Sequence, residues 1–226
     1  MRSLFALGNL LGLIEGVFIS SSTNMTDEVA KLATLLQLRP GMTYCEMGAG
    51  DGKFMVPLGK SVMPGGRAIV TEVDHTSVAF LQEAARSAGF DASAVLATDV
   101  KMGLPVGSCD VIMSRMVYHM IKEPVAVGTY LPQLKQALKP GGKMLILDHD
   151  PDDCAATTRG PNATLYQMMQ VVPRLQEIRE FTSGGFAMVQ MLEWPWFGRY
   201  ENGYALMWMH SVLSSQDQQA STEFVF

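Results

Sequence analysis

Ten residues, Tyr44-Cys45-Glu46-Met47-Gly48-Ala49-Gly50-Asp51-Gly52-Lys53, limit most strongly what this chain can fold into. A short apolar run ends in an acid, enters three glycines spaced by single residues, and leads into a helical pattern. Glycine lets the backbone bend sharply and lets a ligand approach without meeting a Cβ. The start of the helix beyond offers N–H groups to a carboxylate or a phosphate. Glycine turns are common, so the spacing carries the information. A dinucleotide site calls for GxGxxG, whose third glycine or alanine packs the helix closely; here Lys53 stands at that position. Glu46 places a carboxylate at the strand end, which suits a cationic amino group and disfavours a pyrophosphate.

Around this motif, short apolar runs alternate with helical ones, the pattern of a parallel sheet covered on both faces. A helix begins near Thr26 and carries Val29, Leu32, Leu35 and Leu36 before Pro40-Gly41 turns the chain. Strands are predicted at Thr43–Met47, Arg67–Glu72, Ala94–Thr98, Asp110–Ser114 and Lys143–Asp148. Helices are predicted near Gly52–Val62, Ser77–Ala88 and Val125–Leu138, the last broken at Pro132. A longer helix over about Ala163–Glu180 follows. Phe186–Trp194 and Tyr204–Ser211 then form an antiparallel pair. The expected fold is α/β: a Rossmann-like, doubly wound, mostly parallel seven-stranded sheet ending in that antiparallel pair.

With the ordered matches in view, the chain resembles the class I S-adenosylmethionine-dependent methyltransferases, whose first strand ends in (D/E)xGxGxG. The resemblance is close from about Leu38 to Asp150 and looser beyond. Val70-Thr71-Glu72-Val73-Asp74 ends strand two where the family places an acid on the ribose hydroxyls, with Asp74 a competitor for Glu72. Leu96-Ala97-Thr98-Asp99-Val100 puts Asp99 where an acid lies near the adenine amino group. Cys109-Asp110-Val111-Ile112-Met113-Ser114-Arg115 matches strand four, and Leu138-Lys139-Pro140-Gly141-Gly142 the turn before strand five. The resemblance implies S-adenosyl-L-methionine as cofactor, held by Glu46, Gly48, Gly50, Asp51, Gly52, Glu72, Val73, Asp99, Val100 and Ser114. Asp51 has a plainer reading as a helix cap.

Methyl transfer from a sulfonium needs the acceptor aligned in line and sometimes deprotonated. Ligands of open α/β sheets lie beyond the carboxyl ends of the strands. His119 after strand four, and Asp148 and His149 after strand five, are therefore the candidate catalytic residues, with imidazole the natural base near neutral pH. The acceptor classes narrow by what is missing. Ser114-Arg115-Met116-Val117 is not the (N/D)PP(Y/F) turn of enzymes acting on base or glutamine amino groups. No pair of glutamates lies between Ser114 and Lys122, as in arginine methyltransferases. Ser114 replaces the first metal-binding acid of catechol-type enzymes, so no metal is expected, although Asp148, Asp150, Asp152 and Asp153 cluster. A small-molecule acceptor remains. The alternatives are a non-catalytic cofactor-binding scaffold and an aminopropyltransferase of the same fold, with a nicotinamide oxidoreductase weaker still.

Composition sets outer bounds. The chain has 226 residues, 48% hydrophobic and 17% charged, with a formal net charge of −5. It is neither disordered nor a coiled coil, and without a dense basic run no nucleic-acid partner is expected. Three cysteines and no CxxC pair argue against a disulfide or a zinc site and for a reducing, cytoplasmic setting. Residues 1–25 read as an amphipathic helix or cap over Leu4–Ile19, with targeting or membrane contact through residues 4–19 as the alternative. Residues 26–213 form the single domain and 214–226 a polar tail.

Overall fold

The computed structural model describes residues 25–121, 125–149, 174–194 and 203–210. The helix expected over residues 4–19, the acids Asp150, Asp152 and Asp153, the start of the long C-terminal helix and the polar tail lie outside the described residues. Among those residues, no helix is long and apolar enough to cross a membrane.

Helix α1 (Met25–Leu35) leads into β1 (Thr43–Met47), α2 (Met55–Lys60), β2 (Arg67–Glu72), α3 (His75–Ala88) and β3 (Ala92–Leu96). Strand β4 (Cys109–Arg115) is followed by a single turn at Tyr118–Met120. A wide helical turn at Ala126–Tyr130 then runs into α4 (Leu131–Ala137), and β5 covers Leu138–His149. Helix α5 (Arg174–Ser183) precedes β6 (Phe186–Trp194) and β7 (Gly203–His210). The strands form one seven-stranded sheet in the order β3-β2-β1-β4-β5-β7-β6. The first five run parallel, and β7 is antiparallel to both β5 and β6. The expected architecture is the observed one.

Both faces of the sheet are buried, and the strands show it at period two. Val111, Met113, Leu145 and Leu147 join Leu32, Leu58 and Leu81 on one side. Ile112, Met144 and Ile146 join Tyr118, Leu134 and Phe181 on the other. Each such fully buried side chain contributes about 1.5–3 kcal/mol relative to exposure. On α1, Glu28 and Leu32 lie on the buried face, with Leu36 just beyond the helix end, a spacing of four that carries one carboxylate into the interior.

Several boundaries move by a residue or more, and three have a plain physical cause. Helix α2 starts at Met55 rather than Gly52, because Gly50 and Gly52 hold φ of 56° and 74° and the chain cannot turn helical until it is past them. Strand β3 ends at Leu96, since Thr98 and Lys101 exchange backbone hydrogen bonds in a tight turn (2.7 and 3.1 Å). Strand β5 begins at Leu138, and its register beside β4 jumps from Cys109↔Leu138 to Val111↔Lys143. The Lys139–Gly142 turn is thus a bulge within the strand. Pro132 does divide its helix: it lies in the first turn of α4, just after the wide turn.

The cysteines require a correction. Cys45 on β1 and Cys109 on β4 form a disulfide, with Cα atoms 5.9 Å apart and both side chains fully buried. An odd count shows only that one thiol is left over. The 64 residues between the pair hide a contact that two neighbouring strands create. The inference of a reducing compartment from cysteine usage loses its basis.

Candidate active site

Strand β1 lies between β2 and β4, so the winding of the sheet reverses there and the carboxyl ends diverge into a crevice. The glycine turn stands at that point. The Gly48 and Ala49 amides both donate to the Thr71 carbonyl at 3.1 Å, tying the turn to β2. Gly48 holds φ +70°, and a Cβ there would lie 2.5 Å from Val117 Cγ2. No other residue fits without displacing the loop that follows β4.

Two neighbouring hollows open along this turn and share Gly48, Glu72, Val117 and Met120. One, of about 350 Å³, is lined by Glu72, Val73, Asp99, Ile121, Val125 and Tyr130 among others. The second, of about 460 Å³, reaches Glu46, Gly50, Asp51, Lys53, Phe54 and Arg115. Glu72 accepts from the Gly50 amide (2.6 Å) through one oxygen and from the Val73 amide (3.1 Å) through the other. Each carboxylate oxygen has a second lone pair for a ligand hydroxyl. Asp74, the competing acid, instead caps α3: it accepts from the Ser77 amide at 2.7 Å, and that bond holds its carboxyl below the usual range. Tyr130 donates to the Thr98 carbonyl (2.9 Å); burial, then nearby Asp99, raises its phenol pKa.

Glu46 is the buried acid of the second hollow, only 3% exposed. Tyr44 donates to its Oε2 at 2.8 Å. Burial pushes the carboxyl up to about 8, against the Tyr44 hydrogen bond and the Arg115 charge, while Glu72 and Asp51 push the same way as burial. A neutral acid at physiological pH, it is ready to ionise when a cation arrives.

The other expected site residues divide. Asp51 folds its Oδ1 onto the Lys53 amide (3.2 Å) as a local turn. Gly52 lies outside both linings and faces Leu81. Val100 is 80% exposed, and it too lies outside them. Ser114 is fully buried between Met47 of β1 and Ile146 of β5, and its Oγ has no hydrogen-bond partner among the described residues. His119 and Asp148 meet each other. Asp148 accepts from the His119 backbone amide at 3.1 Å and contacts ring Nδ1 at 2.5 Å, with both side chains buried. Neither lines either hollow. His149 pairs with Gly203 at the end of β5.

The sequence reading missed a second set. Arg115, at the end of β4, reaches buried Glu28 through Nε (3.0 Å) and Nη2 (3.3 Å). Its guanidinium lies 4.3 Å from the Phe54 ring centroid. Trp194 Nε1 donates to the same Glu28 at 3.3 Å. The one available signal was Glu28 itself, a charge on the apolar stripe of α1. Behind the His119–Asp148 pair, fully buried Glu177 accepts from Tyr204 Oη at 2.8 Å, and burial, then Asp148, raises its pKa.

Comparisons with known proteins agree with this geometry. A family model described as a methyltransferase domain matches residues 21–210. A protein-L-isoaspartate O-methyltransferase of Aeropyrum pernix is 30% identical over 125 residues, which is 55% of this chain and 45% of that protein. The chain thus spans less than half of that relative's length. Among solved structures, a SAM-dependent methyltransferase from Aquifex aeolicus superposes with a TM-score of 0.62 at 22% identity, covering 80% of this chain and 89% of the other. A geranyl diphosphate methyltransferase in complex with SAM gives a TM-score of 0.63 at 12% identity, over 81% and 85% of the two chains. The chain belongs to the methyltransferase-domain family.

Proposed function

We propose that this chain transfers a methyl group from S-adenosylmethionine to a small-molecule acceptor by in-line displacement. The observation that carries the reading is the paired hollow: a buried acid, Glu46, in one half, Asp99 in the other, and Glu72 lining both beside the glycine turn. A ligand with a cationic amino-acid end and a hydroxylated nucleoside end matches that order of groups. At Gly48 a Cβ would meet Val117, so glycine there lets the loop after β4 close against the turn that both hollows share.

S-adenosylmethionine, when bound, supplies an electrophilic methyl on a sulfonium sulfur. The chain's own residues bind, orient and dry the site. Glu46 ionises to hold the ammonium, and Glu72 accepts the ribose hydroxyls. Asp99 faces the adenine end; Gly48, Gly50 and Val73 provide the backbone surface along which the ligand lies. Asp51, Gly52, Val100 and Ser114 support these groups from the turn, the adjoining loop and β4. Val117, Met120 and Ile121 give the Asp99 hollow an apolar wall. Asp148 takes both the backbone N–H and the ring of His119, and so fixes the turn that carries Val117 and Met120. His119 and Asp148 are therefore positioning residues. Alignment and desolvation supply the rate enhancement, which for well-oriented reactants reaches about 7–11 kcal/mol.

A small acceptor is favoured by the missing sequence turns of base-, glutamine- and arginine-modifying enzymes, and it is the substrate class named in the geranyl diphosphate neighbour. The isoaspartyl relative makes a peptide carboxylate the control acceptor. Calorimetric titration with adenosylmethionine, adenosylhomocysteine and NADH tests the reading, beside Glu72→Ala. Binding of the two sulfur ligands alone, weakened in the variant, supports it. Binding of NADH, or of none, overturns it. An acceptor panel of amines, phenols, thiols, carboxylates and an isoaspartyl peptide then decides the small-molecule part.

A further inference from the structure

The glycine turn and its acids gather at the carboxyl ends of the strands. The opposite end of the sheet carries the other sign of charge. Cations converge there on the turn that feeds β1. The Met42 amide donates to the Arg39 carbonyl (3.3 Å), and the Arg67 amide donates to the Met42 carbonyl (3.1 Å). Beside them the Gly41 amide donates to the Val62 carbonyl (2.9 Å), and the Met63 amide to that of Lys60 (3.1 Å). Lys143 of β5 donates to Gln37 Oε1 at 2.8 Å. Lys139 donates to Asp110, which also accepts from the Thr43 amide at the start of β1.

Most of this charge is uncompensated. Among the described residues, Arg39, Lys60 and Arg67 are exposed and form no salt bridge, and Lys143 is held by a neutral amide. Asp110 offsets Lys139. Asp91, whose carbonyl accepts from the Ala68 amide next to Arg67, offsets one more cation. Five cations against two acids leave a local charge of about +3 on a chain whose formal net charge is −5. The acids of the site do not cancel it. Strand β4, seven residues at about 3.3 Å each, sets the two ends about 20 Å apart, over twice the Debye length of about 8 Å at physiological salt.

What such a face attracts depends on what stands among the cations. Two turns meet there, Pro40-Gly41 and Met63-Pro64-Gly65, so close that a Cβ on Gly65 would lie 3.9 Å from the Gly41 Cα. Pro40 and Pro64 are exposed, and Met42 and Met63 are partly buried. A single-stranded nucleic acid is gripped by aromatic platforms. Among the described residues the one exposed Phe, Tyr or Trp is Phe80, on α3. Apolar turn tips flanked by lysine and arginine match instead the boundary between acyl chains and anionic headgroups.

We propose that this amino-end face docks on an anionic lipid surface, with Arg39, Lys60, Arg67 and Lys143 on the headgroups and Pro40 and Pro64 between them. The carboxyl ends of the strands, with the glycine turn, then face the aqueous phase, and ligands enter from that side.

Co-sedimentation of the full chain with vesicles tests the proposal. The probes are phosphatidylcholine alone, phosphatidylcholine mixed with phosphatidylserine, and a fluorescent single-stranded RNA. The chain should bind the mixed vesicles at low salt, leave them as salt rises above physiological strength, and bind neutral vesicles weakly. Each cation near the surface is worth about fivefold in affinity, so the triple variant Arg39→Gln, Lys60→Gln, Arg67→Gln should bind about a hundredfold more weakly. Arg39→Lys with Arg67→Lys keeps the charge and should keep the binding. Arg179→Gln, which removes an exposed cation of α5, should bind as wild type does. Thermal melts of every variant should match wild type. No binding to the mixed vesicles at low salt overturns the proposal, as does equal binding to neutral ones. A triple variant that binds as wild type does, or RNA binding that persists at physiological salt without vesicle binding, also overturns it.

Discussion

Glu46 has two properties that oppose each other: it is the acid best placed to meet a cation, and burial holds its carboxyl at about 8. Binding an ammonium therefore requires that it first lose a proton. Affinity for adenosylmethionine should fall as pH drops below about 8, by up to about tenfold per unit. Binding near pH 7 should release a proton, read as a dependence of calorimetric heat on the buffer's ionisation enthalpy. Glu46→Gln should bind more weakly and lose the pH dependence; a variant that keeps it would place the titrating group elsewhere. Gly48 gives a steric test of the same site. Gly48→Ala combines an unfavourable φ with the 2.5 Å approach to Val117, so it should abolish measurable cofactor binding while circular dichroism stays near wild type.

At the scale of elements, the site depends on which segments hold the β4 loop and α1 in place. Asp148 on β5 holds the turn at Tyr118–Met120 through His119. Asp148→Ala should therefore raise the cofactor KM several-fold and leave the shape of the kcat–pH profile unchanged. Loss of the ascending limb of that profile would instead make His119 the catalytic base. Helix α1 is anchored by Glu28, which holds Arg115 of β4 and Trp194 of β6 together. Glu28→Ala takes the acceptor from three N–H groups, Arg115 Nε and Nη2 and Trp194 Nε1, and should cost about 1–3 kcal/mol, measured by urea unfolding. The legibility of these parts follows from their range. Strands β1 and β2 could be bounded from the sequence because alternation and glycines are local signals, and Glu46, Glu72 and Asp99 came with them. The Arg115–Glu28 pair spans 87 residues, and nothing local marks Arg115 as more than the end of a strand. The His119–Asp148 contact was hidden in the same way. Both residues were legible as strand-end candidates, but only packing shows that they bind each other and turn away from the hollows. Ser114 was read from its place in a motif, and its complete burial is a property of the sheet.

At the scale of the whole molecule, two buried carboxyls among the described residues, Glu46 and Glu177, have pKa values raised above the ordinary glutamate value. For a raised carboxyl, the native state binds protons more tightly than the unfolded chain does. Its stabilising contribution is complete below the unfolded value and is lost as pH rises toward the folded one. For Glu46 that window runs from about 4.5 to about 8. The ligand-free protein should therefore melt at a lower temperature at pH 8 than at pH 5, and Glu46→Gln should flatten the difference. The Cys45–Cys109 disulfide acts on the same balance from the unfolded side. It ties β1 to β4, closing a separation of 64 residues, and such a link removes up to about 4 kcal/mol of chain entropy from the unfolded ensemble. Because both sulfurs are fully buried, native protein should keep the bond in mild reductant and lose it when reductant and denaturant act together. With two of the three cysteines paired, alkylation in denaturant without reductant should label one thiol per chain, and three after reduction. Labelling of three thiols before reduction would show the pair reduced. The reduced chain should then unfold at a lower urea midpoint than the oxidised one, with β1, and so the glycine turn it delivers, less firmly held at the mouth of the site.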